Sequence, residues 1–180
     1  MATMTISLAD LLTEYDRALR YTDDLRSGLT GEQINWRADE NASGIGWHLG
    51  HQPAVAHFMV RNLTAAEAKI DPELDDLMDS ATAESERGAL PDLDRLLDYR
   101  GTVAERVRYR VGQIDEGNVG APAQLRLIAG NLMVAVINHE YQHSKWIGEV
   151  RSEVHGLDLP DEPTSPLLTT VDGYTILAPS

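Results

Sequence analysis

Apolar side chains recur every three or four residues in four stretches of the chain, the spacing that places them on one face of an α-helix. These stretches cover about residues 8–27, 45–62, 92–114 and 123–154. Ser7 precedes the first stretch and belongs to the residue types that cap helix N-termini. Four amphipathic helices of this length bury their apolar faces against one another. The pattern therefore predicts an all-α four-helix bundle.

The segments that connect and follow these helices differ in character. Residues 71–98 carry ten acidic and two basic side chains, which predicts a long solvated connection between helices two and three, with a short helix near residues 73–78. Residues 159–180 are expected to form an extended tail that packs on a bundle domain of residues 1–158. Within this tail, LTTV and YTIL flank Asp172-Gly173, the signature of a small β-hairpin.

Two histidines of the fourth helix carry the strongest chemical signal. His139 and His143 are four residues apart, so both rings leave one helix face, and the rest of that face is apolar. An unpaired polar group in such a place costs about 1–3 kcal/mol, which favours ligation over simple packing. With His51 from the second helix, the pair predicts an open three-histidine metal site. Glu140 and Gln142 flank the pair and are candidates to orient a ring.

The upstream region offers more than one histidine for the third ligand position. His48 and His51 share a helix face, and His51 lies deeper in the helix and aligns with Phe58 on the predicted inward face. We therefore expect His51 to be the ligand and His48 to lie near the rim of the pocket. His57 points about 120° away from His51, at about 100° per residue, and is interpreted as a packing or surface residue. His155 follows the last helix and is expected to be exposed.

The composition of the chain limits which partners and which metal ligands are possible. The net charge is −14 and the sequence pI is about 4.7, which argues against nucleic acid or an anionic membrane as a partner. The chain has no cysteine, so a metal must be held by histidine and carboxylate. Nitrogen ligands suit Zn²⁺, Ni²⁺ or Fe²⁺. The N-terminus shows no signal-peptide pattern and no stretch is apolar enough to span a membrane, so we expect a cytoplasmic protein.

Two segments in this order resemble the DinB-like superfamily of metal-binding four-helix bundles: LTGEQINWRADENASGIGWHLGH and INHEYQHSKWIGEVR. The resemblance covers roughly residues 5–155. WHLGH is also similar to the DinB-like domain of the iron-dependent sulfoxide synthases of ergothioneine biosynthesis, in which the second histidine is a ligand. This implies metal ligation by His51, His139 and His143, in an up-down-down-up bundle. Many relatives continue His-x-Gly-Gln, whereas this chain has Ser144 and Lys145 after the last histidine.

The resemblance implies an activity as well as a fold. Relatives use a metal to activate a low-molecular-weight thiol, bacillithiol or mycothiol, for S-transfer to an electrophile, and we expect the same class of reaction on a small-molecule substrate. Metal-dependent hydrolysis by activated water, or a non-catalytic metal-binding or structural bundle, are the alternatives.

Two further residues are candidates for the pocket. Arg100 lies on the apolar face of the third helix, where it either holds a substrate carboxylate or snorkels to an acid on helix one, the second being favoured. Tyr15 either donates a hydrogen bond near the metal or packs with its hydroxyl at the surface.

A homodimer is also expected, because several apolar residues between helices two and three lack an obvious place in the bundle. These residues are Leu63, Ile70, Leu74, Leu77 and Met78.

Overall fold

The computed structural model describes residues 6–63, 67–86 and 89–178. All four predicted long helices are present, and so is the short helix predicted near residues 73–78; a second short helix lies between α1 and α3. The helices are α1 Leu8–Arg26, α2 Gly31–Asn35, α3 Ile45–Arg61, α4 Pro72–Leu77, α5 Leu93–Asp115 and α6 Pro122–Glu149. A 3-10 turn, Glu84–Glu86, precedes α5, and a π-helical turn, Val150–Val154, extends α6. Two strands follow, β1 Leu168–Val171 and β2 Tyr174–Leu177.

Side-chain caps define where several helices begin. Ser7 accepts a hydrogen bond from the backbone N–H of the third residue after it, as predicted, and Asp92 does the same at the start of α5. Thr30 and Gln33 form a reciprocal capping box on α2. Asp71 caps α4, whose first residue is a proline. These four helices therefore begin at residues whose side chains satisfy free N–H groups of the first turn.

The four long helices form the core of the protein. α1 packs on α6, and α3 packs on both α5 and α6, with further contacts of α5 to α1 and α6. The fold is thus mostly helical, as expected, while the up-down-down-up order of the helices stays a prediction. In the described part of the chain, no helix combines the length and apolarity that crossing a membrane requires.

Helix α3 is buried more widely than one amphipathic face. Every residue from 45 to 53 is buried, and so is His57, which is 1% exposed. Phe58, predicted to face inward, is 63% exposed. Because α3 contacts α2, α4, α5 and α6, its buried surface extends around the helix and includes His57, while Phe58 lies on the side that these helices leave exposed. Pro53 lies in the middle of α3 rather than in its first turns.

A cluster of buried polar groups ties the four long helices together. Arg100 on α5 forms an ion pair with Glu140 on α6, and both side chains are at most 5% exposed. Thr22 of α1 donates to Glu140 Oε1 at 2.6 Å. Gln52 of α3 donates to the Glu140 carbonyl at 3.0 Å and accepts from Arg100 at 3.4 Å. Arg100 therefore does not snorkel to the surface, and the acid that neutralises it lies on the last helix.

The same guanidinium also approaches helix one. Arg100 Nε lies 3.8 Å from Asp23 Oδ1, and Arg100 Nη2 donates to the Leu19 carbonyl at 3.5 Å. An acid on helix one was expected without a residue being specified; Asp23 is such an acid, but its side chain is 46% exposed and it contributes less than Glu140.

The predicted C-terminal hairpin is confirmed. Strands β1 and β2 pair antiparallel, with Leu168 opposite Leu177. Asp172 and Gly173 both have positive φ, 51° and 79°, the backbone of a type I′ turn. Leu177 is buried, and its N–H donates to Asn138 Oδ1 on α6 at 2.8 Å. The hairpin thus packs on α6, while the division into domains 1–158 and 159–180 stays a prediction.

The apolar residues between α3 and α5 have places within the chain. Leu74 and Met78 are fully buried, and Leu63, Ile70 and Leu77 pack against the core. The observation on which the expected homodimer rested is therefore removed, and the homodimer itself stays a prediction.

We expect Arg100→Leu to lower the free energy of unfolding by about 3–5 kcal/mol, because it leaves the Glu140 carboxylate buried without its partner. Urea unfolding followed by circular dichroism measures the change. Arg108→Leu is the matched control on the same helix, since its ion pair with Asp16 is exposed and is worth about 0–1 kcal/mol. Equal effects of the two substitutions would contradict the central role of the buried pair.

Candidate metal centre

The structure brings the three predicted ligands into one cluster. One nitrogen from each of His51, His139 and His143 lies within 4.8 Å of the other two. The ring centroids of His139 and His143 are 4.3 Å apart, and that of His51 lies 5.1 Å and 4.9 Å from them. His51 and His143 are buried, and His139 is partly exposed. The cluster therefore joins the first half of α3 to the second half of α6.

A backbone carbonyl orients His51. Its Nδ1 lies 2.6 Å from the carbonyl oxygen of Met78, just after α4. A carbonyl only accepts, so Nδ1 carries the proton and Nε2 keeps its lone pair for a ligand. Met78 approaches closely because residue 50 is glycine: a Cβ there would lie 2.5 Å from Met78 Sδ. Gly50 in WHLGH thus makes room for the segment that orients the next residue.

A second histidine orients His143. His48 Nδ1 and His143 Nδ1 are 2.7 Å apart and both rings are buried, so one of these nitrogens donates to the other. If His143 binds a metal through Nε2, its Nδ1 carries the proton and donates to His48. His48 is 6% exposed, so the expectation that it lies near the rim was wrong. It is packed inside the site, against a predicted ligand.

Two indole rings enclose the cluster. Trp47 stacks on His51 with ring centroids 4.3 Å apart and an interplanar angle of 13°. Trp146 meets His143 edge-on at 4.8 Å and 85°. These contacts restrict rotation of both imidazoles and exclude water from one side of them.

Burial keeps two of the three histidines, His139 and His143, uncharged. It lowers the pKa of His139 to about 4, with a smaller contribution from the neighbouring His51. It also lowers the pKa of His143, and the three neighbouring histidines lower it further. Near neutral pH both rings are therefore neutral and have lone pairs available to a cation.

The donor set fits a divalent transition metal. In a tetrahedral site with Zn–N bonds of about 2.0–2.1 Å the ligand nitrogens are about 3.4 Å apart, so three nitrogens within 4.8 Å of one another are near the spacing that one ion requires. Three neutral imidazoles and no thiolate suit Zn²⁺, Ni²⁺ or Fe²⁺ and disfavour Mg²⁺ or Ca²⁺. A metal held this way keeps at least one coordination position for another molecule.

The other candidate residues lie outside this cluster. Tyr15 is 1% exposed, so its hydroxyl does not reach the surface; burial raises its pKa and the charge of Glu140 raises it further. Glu140 itself points into the core, where it binds Arg100 and Thr22. Arg100 therefore belongs to the buried polar cluster around Glu140, which lies next to the histidines along α6. Tyr15 is buried near the charges of Glu140 and Arg100.

Two cavities border the histidines. One, of about 390 Å³, is lined by His51 and His57 together with residues of α4. The other, of about 480 Å³, is lined by His139 and Gln142 and is closed on one side by the β-hairpin. His57, interpreted from the sequence as a packing or surface residue, is thus buried beside the metal centre. His155 is also not simply exposed: it lies 3.1 Å from the Gln33 carbonyl oxygen.

Fold and site together define a helical protein with a candidate three-histidine metal centre, and the comparison with known families agrees. A model of the DinB superfamily matches residues 14–147, from the first long helix to the closing histidine helix. The chain therefore belongs to the DinB superfamily. A search of curated proteins found no match.

We expect His48→Leu to weaken binding of added Zn²⁺ about 10–100-fold, because His143 loses the acceptor that fixes its orientation. His48→Asn is the matched control, since its Oδ1 can take the place of Nδ1 as acceptor and should keep the affinity within a few-fold of wild type. Competition with a chromophoric chelator measures all three affinities. Wild-type affinity in the leucine variant, or equal losses in both variants, would show that His48 does not orient His143 through this hydrogen bond.

Proposed function

We propose that this protein is a metal-dependent enzyme that joins a low-molecular-weight thiol to an electrophilic small molecule. The observation that carries the proposal is the cluster of three histidine nitrogens within 4.8 Å, on α3 and α6, with a cavity on either side. His51, His139 and His143 are the metal ligands, with Zn²⁺, Ni²⁺ or Fe²⁺ as the ion. The proposal takes the four long helices as the up-down-down-up bundle of the superfamily.

In this proposal the metal activates the thiol. When bound, a divalent ion with three imidazole ligands acts as a Lewis acid and lowers the pKa of a thiol or a water at its open position. The chain contributes the neutral nitrogens, held by Met78 and His48, and the indole walls that exclude water.

The sulfur must come from a substrate. The chain contains no cysteine, so no protein thiolate is available as nucleophile. In the proposed reaction the thiol sulfur forms a bond to carbon of the electrophile, the leaving group departs with the bonding electron pair, and the thiol proton is released. We place this reaction in the cytoplasm, where small thiols are kept reduced.

The test is loss of monobromobimane in the presence of added thiols. We expect Zn²⁺-, Ni²⁺- or Fe²⁺-loaded protein to accelerate the loss with the correct thiol by about 100-fold or more over protein stripped with a chelator. His139→Ala/His143→Ala should abolish the acceleration. His155→Ala, which removes a histidine outside the cluster, should leave it unchanged.

Two other outcomes would contradict thiol transfer and identify the alternatives. Metal-dependent turnover of ester or amide substrates without thiol would make the protein a hydrolase. A metal-loaded protein with neither activity, whose melting temperature falls when the metal is removed, would be a structural metal-binding bundle.

A further inference from the structure

The cavity beside His51 contains polar nitrogens without partners. His57 is 1% exposed, and neither its Nε2 nor the Nε of Arg61 has a hydrogen-bond partner among the residues that the structure describes. Both residues line the cavity that His51 also lines. Buried nitrogens of this kind are normally paired, because leaving them unpaired costs free energy. Their position in a cavity next to a candidate metal ligand indicates that a bound molecule supplies the missing partner.

The chemistry of these nitrogens favours an acceptor with negative charge. Arg61 Nε–H only donates, and its guanidinium is always positive. His57 is neutral near pH 7, since burial and the charges of Arg61 and Arg106 lower its pKa more than Asp75 raises it. In the tautomer with hydrogen on Nε2, the ring donates alongside Arg61. His57 and Arg61 are four residues apart on α3, so their donors lie on one helix face and can match the two oxygens of a carboxylate.

The three acidic side chains that line the cavity have hydrogen-bond partners other than His57 and Arg61. Asp75 accepts a hydrogen bond from Tyr99. Lys69 Nζ and Asp76 Oδ1 form an ion pair at 2.6 Å. The Asp79 carboxylate accepts from the backbone N–H of Ala81 at 2.8 Å. None of these three carboxylates accepts a hydrogen bond from His57 Nε2 or Arg61 Nε, so within the described residues the acceptor for both nitrogens is missing.

We propose that this cavity is a substrate site specific for small molecules with a carboxylate group, which binds Arg61 and His57 while the reactive end of the molecule lies toward His51. The inference rests on the proposed function for the identity of that reactive end. The carboxylate site itself depends only on the cavity and its two donors.

Two thiols of equal chain length test the specificity. In Co²⁺-loaded protein, absorption titrations give the affinities for 3-mercaptopropionate and 3-mercapto-1-propanol. We expect the acid to bind about tenfold more tightly, the factor that one charge-assisted hydrogen bond contributes. Arg61→Gln should reduce the ratio to about one. Lys69→Gln, which removes a second cation of the same cavity that is already paired with Asp76, should preserve it.

A second arm needs neither metal nor thiol. Propionate and 1-propanol are titrated into metal-free protein while the histidine ring resonances are followed by NMR, with His57 assigned from His57→Gln. We expect propionate alone to shift the His57 resonances, and the shift to be lost in Arg61→Gln.

The two arms separate the two claims. A propionate shift in a protein that binds no cobalt would leave the carboxylate site standing and refute the proposed function. Equal affinities for the acid and the alcohol, with no propionate shift, would refute the carboxylate site whatever the metal chemistry. If the preference for the acid were lost in Lys69→Gln but kept in Arg61→Gln, the carboxylate would bind Lys69 rather than Arg61, and the inference would be refuted.

Discussion

The buried ion pair between Arg100 and Glu140 is the constraint on which the rest of the structure depends. Two charges inside a helical core are tolerated only if each is neutralised and hydrogen-bonded. Satisfying both requires Thr22 and Gln52 as well, so α1, α3, α5 and α6 must meet at one level. Glu140 directly follows His139 in α6. The pair therefore also fixes the rotation of α6 that turns His139 and His143 toward His51.

The buried histidines of the cluster, His51 and His143, are also hydrogen-bonded, each through its Nδ1. The Met78 carbonyl and His48 each occupy Nδ1 of one ring, which leaves the opposite nitrogen of that ring to a metal. Burial keeps His139 and His143 neutral, and neutral rings are what a cation requires. Hydrogen bonds and packing of this kind hold the rings in fixed orientations, as a metal site requires. The stability of the bundle and the chemistry of the site thus depend on the same packed helices.

Much of the fold and part of the metal centre could be predicted from the sequence, because their signals are local. The 3.6-residue period and the Ser7 cap predicted the long helices, Asp172-Gly173 predicted the hairpin, and the spacing of His139 and His143 predicted their common face. Long-range partners were beyond such signals: nothing near Arg100 in sequence indicates Glu140, and nothing near His48 indicates His143. The exposure of Phe58 was misjudged, and His57 was left as either a packing or a surface residue. Four helices contact α3, so its buried surface follows tertiary contacts rather than one apolar face.

The measurement that tests the central claim most directly is elemental analysis of protein purified without a histidine tag, beside the His139→Ala/His143→Ala double variant. We expect zinc, nickel or iron near one ion per chain in the wild type and almost none in the variant, with both proteins folded by circular dichroism. A wild type that contains no metal and takes up none when zinc, nickel or iron is added would contradict it. The histidines would then be polar residues of the core, satisfied by one another.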